Sequence, residues 1–578
     1  MNAAERVVET LSALDTAFVF GYPGGRVIEV FEAVAERDGP DTPRIVRPRD
    51  EREASVMAEA VGRISGDPAV LAGQGPWIGS LGAIGQMEAR LGSTPMLVIT
   101  EASERGDYST VAPYQQSRGD YGGLSLPKLL DGVTKEHWFP RTAPETVRSV
   151  QLAYKHATAG RAGPCAVILD GNAVTAEVPE DPLPPLWADR PQTRTWDARP
   201  TAADTAAAAD LLSAADRPVI LAGNGVHAAR AHEELERAAA ALDAVVVTSY
   251  LGKSTIAETH DRAAGVVGAF GHEGANRVVS EADALLVAGC RLNPMDTNWG
   301  APEFVRPEEQ AIVHADVDTR NAGWVYPADV GLIGDAAESL AAVAEHVAAD
   351  ADWTGVEDRH GRTHADARER AAAAREEFAA PIPDAADAGP PVDPRRVPEA
   401  VETVVDAETV VTADSGNNRF WLLHYLQTPA TRTYFGSGGV GGMGWAPPAA
   451  VGAALLGHDA VCVAGDGGFA MTMTAVETAV QQGVAPAFVV MNDTSLGMVR
   501  QMGGVPGVEF HDTDFVACAE AMGARGHRVT DPAALRAAVE DAHAAGEPTV
   551  VDVRVDRSIE MSAELSSSFY DSVGGLHE

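Results

Sequence analysis

Cysteine is scarce in this chain, with four in 578 residues. Cys165, Cys290, Cys462 and Cys518 stand singly, without a C-x-x-C pair, which excludes a disulfide framework and the usual zinc spacings. Free thiols in a reducing cytoplasm are the expectation. Basic residues are also few, 44 against 83 acids, for a formal net charge of −39. No basic stripe exists to neutralise phosphates, so nucleic acid is not an expected partner. Few Lys, many acids and many Ala suggest a protein soluble in very high salt, where screening weakens self-repulsion. No apolar run reaches membrane-spanning length, and the start, MNAAERVVETL, reads as an amphipathic helix rather than a signal peptide. A cytoplasmic protein with no membrane partner is expected.

What is present alternates apolar strands with helices. A prior of roughly 100–200 residues per domain predicts about three domains. The first, residues 1–178, has strands at Phe18–Phe20, Ala69–Ala72, Met96–Thr100 and Cys165–Leu169. A Pro-rich linker, VPEDPLPPLW, precedes a second α/β segment over 192–347, with strands at Ala244–Thr248, Ala284–Ala288 and Ala311–Ala315. An Ala-rich helix from about Ala365 to Phe378 leads to a second linker and a third domain over 392–556; residues 557–578 read as a tail. The fold class is α/β, with parallel sheets flanked by helices.

Within the third domain, Ala460–Ala464 is an apolar run long enough for one buried strand, and it ends in Gly465-Asp466-Gly467-Gly468. The glycines permit a sharp turn and close approach of a ligand to the backbone. Thr472–Gln482 reads as a helix, and Ala487–Met491 as a second strand closed by Asn492-Asp493. Asp466 and Asp493 then both follow the carboxyl ends of parallel strands, where open α/β sheets bind ligands. Two carboxylates and a loop carbonyl suit a hard cation that completes its shell with phosphate oxygens and water. The Gly467 and Gly468 amides suit a diphosphate. A lone GDG is more often a plain turn.

Asp493 lies 27 positions after Asp466, and this spacing resembles the thiamine-diphosphate signature of GDG, about two dozen residues, then NN. Three ordered blocks extend the likeness to the acetolactate synthase large subunits. Phe20–Gly25 resembles their FGYPGG, Glu51–Gly66 their EQGAAHAADGYARATG, and Gly439–Ala450 (GVGGMGWAPPAA) their GLGTMGFGLPAA. Ser495–Gln501 (SLGMVRQ) is similar almost letter for letter. The likeness covers nearly the whole chain.

The resemblance implies three domains, binding the pyrimidine, forming the centre, and binding diphosphate and Mg2+. It implies that Asp466, Asp493 and the Ser495 carbonyl hold Mg2+, and that Pro23, Gly24, Asn417, Asn418, Gly467 and Gly468 touch thiamine diphosphate. Glu51 falls on the catalytic carboxylate that hydrogen-bonds the pyrimidine N1′ and drives proton removal at C2; read alone, it is equally an acid favourable to a helix N-terminus. Met443 falls on the wedge between the cofactor rings and Gly441 on the carbonyl partner of the 4′-amino group, although Met also fills core gaps readily. Gln115 falls near the substrate, or is simply a polar loop residue.

Implied with these is decarboxylation of pyruvate and joining of the product to a second 2-oxo acid, as in branched-chain amino-acid biosynthesis. A 2-oxo acid decarboxylase or acyltransferase of the same group is the alternative, and a non-catalytic regulatory subunit the third reading. The resemblance also implies a homodimer, in which Glu51 of one chain faces the GDG domain of another, with tetramers and a regulatory small subunit compatible. FAD is implied in the middle domain. There Arg291 and Asp316 are kept, but Leu292-Asn293-Pro294 replaces Phe-Asp-Asp. Other departures are Asp493 for Asn, Asn418 for His, Trp77 in the altered SGPG block, and Met502 for a Trp.

Overall fold

The computed structural model describes residues 1–102, 123–182, 185–186, 195–349, 365–376, 382, 389–501, 503 and 505–561. They form two compact units. One takes in the described residues within Met1–Trp196, Ser437–Gly457 and Thr472–Val484; the other takes in those within Asp197–Gly436, His458–Met471 and Ala485–Glu578. No helix among the described residues is long and apolar enough to cross a membrane.

The first unit is built on a parallel six-stranded sheet. Its strands are β1 (Phe18–Gly21), β2 (Arg44–Val46), β3 (Ala69–Ala72), β4 (Met96–Ala102), β5 (Glu136–Trp138) and β6 (Pro164–Asp170), in the order β2-β1-β3-β4-β6-β5. All four residues of β1 and β3, and all seven of β4 and β6, are buried, as expected for strands covered by helices on both faces. The Ala3–Ala13 helix opens with a capping box in which Asn2 and Glu5 satisfy each other's backbone N–H groups. It buries Val7, Val8 and Leu11 in this unit's core.

Glu51–Ser65 is a deeply enclosed helix, with twelve of its fifteen residues buried. Small residues let its neighbours approach closely. A Cβ on Gly85 would lie 2.3 Å from the Ser55 backbone, and one on Gly452 3.3 Å from the Met57 carbonyl oxygen. The helix is thus held between Ala83–Gly92 and Ala446–Leu455.

The second unit carries two more parallel sheets. One has β7 (Pro218–Ala222), β8 (Val245–Thr248), β9 (Ala263–Val266), β10 (Ala284–Ala288), β11 (Ala311–Asp316) and β12 (Val330–Ile333), in the order β12-β11-β10-β7-β8-β9. Successive residues alternate between its two faces: Ile220 and Ala222 join one apolar core, Val219 and Leu221 the other. The third sheet has β13 (Thr409–Ala413), β14 (Tyr434–Gly436), β15 (Asp459–Gly465), β16 (Ala487–Asn492), β17 (Arg525–Val529) and β18 (Thr549–Arg554), in the order β14-β13-β15-β16-β18-β17. Taken by rank along the chain, this repeats the strand order of the first sheet. Such sheets bind ligands at the carboxyl ends of strands where the winding direction reverses. That reversal falls between β13 and β15 here, and between β1 and β3 in the first sheet.

One buried ion pair ties the two sheets of the second unit together. Lys253 Nζ donates to both Glu258 carboxylate oxygens at 2.6 Å and to the Leu426 carbonyl at 2.8 Å, while Glu258 Oε2 also accepts from the Thr428 N–H and hydroxyl. Removing one member of such a pair strands a charge in an apolar interior and costs about 3–5 kcal/mol. Lys253→Met is therefore expected to lower the midpoint of thermal unfolding, and Lys253→Met/Glu258→Met to recover part of the loss. Differential scanning calorimetry of the two variants checks both.

Candidate active site

The Asp466 segment is folded more tightly than its sequence predicts. A turn at 465–468 and a helix from Thr472 to Gln482 are expected, but β15 runs to Gly465 and a short helix starts at once over Asp466–Thr472, followed by a second over Ala475–Gln482. Phe469 supplies the reason. It is 1% exposed, with its ring 6.1 Å from that of Phe488 and edge-on to Phe515 at 5.3 Å, so the segment is drawn into the core. Asp466 is buried beside Asp493, and the Gly467 N–H donates to its carboxylate. Burial first, then the negative charge of Asp493, pushes the Asp466 carboxyl up to about 7. Asp493 is also raised by burial, against hydrogen bonds from Ser495 and the pull of Arg500 and Arg557.

Two carboxylates that disfavour each other's ionisation are what a divalent cation relieves. The residues around them fit such an ion. Asn417 Oδ1 is buried with no hydrogen-bond partner, while its Nδ2 donates to Gln501 Oε1 at 3.1 Å. A Cβ on Gly497 would lie 2.6 Å from Asp493 Oδ2 and 3.4 Å from Asn417 Nδ2, so only glycine leaves these side chains in place. Among the described residues no group of three or more His, Cys, Asp and Glu side chains is placed to hold a metal ion. The cation would thus need oxygens from elsewhere, and a diphosphate supplies them.

Neighbouring groups hold this set in register. Asn492 Nδ2 donates to Asp552 Oδ1 at 2.8 Å and its Oδ1 accepts from the Thr494 N–H, which shapes the turn carrying Asp493. The Ser495 N–H donates to Asp493 Oδ1 at 3.0 Å. Leu496 N–H to Val508 and Phe510 N–H to Thr494, both 2.8 Å, brace the segment that bears the Ser495 carbonyl. Asn418 is 4% exposed and donates to the carbonyls of Asp414 and Val463, linking the ends of β13 and β15. Its amide nitrogen is thereby engaged within the chain.

In the first unit, Glu51 is the first residue of its helix, and the Asp50 side chain caps the N–H of Glu53 at 2.9 Å. Glu51 is 8% exposed. Burial, with a contribution from Asp50, raises its pKa above the usual carboxylate value. It lies beside the loop that leaves β3: a Cβ on Gly73 would sit 3.9 Å from Glu51 Cγ. The Tyr22–Gly25 loop leaves β1, across the sheet's reversal point. A Cβ on Gly24 would lie 3.5 Å from Gln74 Oε1, and one on Gly25, whose φ is +52°, only 2.5 Å from Glu101 Oε1. Pro23, Gly24 and Glu51 thus gather at the carboxyl end of the first sheet.

Gly441 has φ +74° and open space where a Cβ would stand. Met443 lines a small cavity with Arg52, Val56, Ile84, Glu88, Gly442, Gly444 and Trp445. Gln115 and Met502 lie outside the described residues. Trp77 is 46% exposed on the short Gly75–Ile78 helix. In the middle sheet, Asp316 accepts from the Asp318 N–H at 2.8 Å and from Asn321 Nδ2 at 3.3 Å, so this carboxylate is engaged within the chain.

Several charged residues show structural roles that the sequence pattern does not reveal. Glu53 is 1% exposed and accepts from the Thr474 hydroxyl, and Arg49 makes a two-pronged pair with Glu477 at 2.6 Å. Glu59, Arg63 and Glu88 form a buried charge cluster. The four-residue spacing of Glu59 and Arg63 within the small and apolar stretch Val56–Ile64 was the available signal; Glu88 left none.

Comparison with known proteins gives three matches in order along the chain. Residues 1–122 match the N-terminal TPP binding domain of the thiamine pyrophosphate enzymes, 205–343 their central domain, and 414–553 their C-terminal TPP binding domain. A probable acetolactate synthase large subunit of Methanocaldococcus jannaschii is 29% identical, covering 96% of this chain and 92% of its own length. Another from Methanococcus aeolicus is 28% identical, covering 97% and 93%. The acetolactate synthase isozyme 3 large subunit of Escherichia coli (strain K12) is 28% identical, covering 94% and 92%.

Proposed function

Since the chain belongs to the thiamine pyrophosphate enzymes, with their N-terminal, central and C-terminal domains in order, we propose that it is a carboligase of the acetolactate synthase type. One pyruvate loses its carboxylate carbon as CO2. The remaining two-carbon unit forms a bond to the carbonyl carbon of a second 2-oxo acid, whose oxygen takes up a proton. The observation that carries this reading is likeness to acetolactate synthase large subunits along almost the full length of both chains.

Thiamine diphosphate, when bound, supplies a carbon centre that adds to a ketone and stores the electrons released with CO2. In the proposed assignment Asp466, Asp493 and the Ser495 carbonyl would hold Mg2+, and the Gly468 N–H and Asn417 would hold the diphosphate, the Gly467 N–H being given to the Asp466 carboxylate. Glu51, whose pKa burial raises, would hydrogen-bond the pyrimidine N1′ and share its proton. The Gly441 carbonyl would accept from the 4′-amino group, and Met443 would pack against the cofactor rings. We place Glu51 of one chain with Asp466 of a second, making a homodimer the active unit.

The test is incubation with pyruvate, thiamine diphosphate and Mg2+ in molar KCl, with CO2 and acetolactate both quantified. Equal amounts of the two are expected. CO2 with free acetaldehyde instead would make the protein a decarboxylase; no CO2, despite tight cofactor binding, would remove pyruvate as its substrate.

A further inference from the structure

Glu88 lies within the Ala83–Gly92 helix, is 2% exposed, and is anchored far along the chain. Its Oε1 accepts from the N–H groups of Gly438 at 2.7 Å and Gly439 at 2.6 Å, and its Oε2 from those of Val440 at 2.8 Å and Gly441 at 3.4 Å. Successive backbone N–H groups converging in this way form an anion-binding nest, and here the anion belongs to the chain itself. Arg63 Nη2 adds a bond to Glu88 Oε1 at 3.0 Å and pairs with Glu59 at 2.6 Å, its guanidinium 5.2 Å above the Trp445 ring. The Trp445 indole N–H donates to Glu59 Oε2 at 2.8 Å. The glycine-rich loop is therefore held at its start by Glu88 and at its end by Trp445. Burial works against a charged Glu88, but Arg63 and the loop N–H groups outweigh it and hold its pKa below the ordinary value. Gly439 is indispensable to the contact: a Cβ there would lie 2.6 Å from the Glu88 carbonyl oxygen and 3.0 Å from the Gly92 nitrogen.

We propose that Glu88 is a positioning residue whose carboxylate, filling this nest, sets the shape of the Gly438–Gly444 loop so that Gly441 and Met443 are presented to thiamine diphosphate. The proposal rests on the cofactor reading above. Charge-assisted hydrogen bonds hold the loop before any ligand arrives, so the site is shaped in advance and binding bears less ordering entropy.

Two readouts test it: hydrogen exchange of the Gly438–Gly441 amides in cofactor-free protein, and titration of thiamine diphosphate at fixed Mg2+ followed by tryptophan fluorescence. Glu88→Gln turns an NH2 group toward N–H donors. It is expected to lower protection of these amides by about 100-fold and raise the half-saturating cofactor concentration at least about tenfold, since bonds to charged groups are the strong ones. Gly439→Ala, which keeps the carboxylate but pushes the loop off it, is expected to give the same two losses. Val70→Ala, in buried β3, is expected to lower the unfolding midpoint yet leave both readouts at wild-type values. Unprotected loop amides in the wild type, or Glu88→Gln or Gly439→Ala behaving as Val70→Ala does, would overturn the proposal. Protected amides in a wild type that binds no thiamine diphosphate would instead overturn the cofactor reading, and the positioning role with it.

Discussion

Glu51→Gln is expected to lower turnover by about 10²–10⁴-fold, the range for loss of a positioned acid–base group, while thiamine diphosphate binds within about twofold of wild type. The size and shape of the side chain are conserved, so the first turn of the helix and the Asp50 cap on the Glu53 N–H survive. What is lost is the ability to take and return a proton. Glu51 is suited to that exchange because burial raises its pKa, so its charged and neutral forms lie closer in energy than on an exposed carboxyl. Isothermal titration with the cofactor and a steady-state assay on one preparation separate the two effects. Equal loss of binding and turnover would make Glu51 a structural acid at a helix start.

Asp466→Ala is expected to abolish cation-dependent cofactor binding altogether. Asp493→Ala should act likewise, whereas Asp493→Asn, which keeps an oxygen ligand, should retain most binding. The pH dependence has a definite sign. Because Asp466 titrates at about 7, protons compete with the cation below that value, and apparent Mg2+ affinity should rise as pH increases through 7 and then level off. Stability of the cation-free protein runs the other way. The folded-state pKa lies above the ordinary value of about 3.9, so the folded state binds more protons across that window, and this carboxyl's contribution falls as pH rises from about 4 to about 7. Saturating Mg2+ should flatten the profile. Thermal unfolding with Mg2+ or with EDTA at several pH values measures it; identical profiles would exclude Asp466 as a cation ligand.

Strands were the most legible part of this sequence. Apolar runs such as Ala69–Ala72 and Ala284–Ala288 are the strands β3 and β10 to the residue, because a buried parallel strand needs a continuous apolar run and little else. The Asp466 segment was legible as the end of a strand but not as a helix start, since the packing of Phe469 between Phe488 and Phe515 depends on chain far downstream. The nest around Glu88 was illegible for the same reason in stronger form. The partners lie 350 positions apart, and in sequence Glu88 looks like any surface acid on a helix. Its burial becomes visible only when Ala83–Gly92 is seen beside the glycine loop. Local pattern finds residues that act near their own strand end; it does not find those that act across the fold.

The central claim, that Glu51 drives proton removal at C2 of thiamine diphosphate, can be measured without knowing the physiological substrate. In deuterated buffer with Mg2+, exchange of the C2 hydrogen of bound cofactor is followed by acid quench and proton NMR. Wild-type protein is expected to accelerate this exchange at least about 100-fold over free cofactor, and Glu51→Gln, with the cofactor still bound, to lose most of the acceleration. Exchange equally fast in Glu51→Gln and wild type would contradict the account.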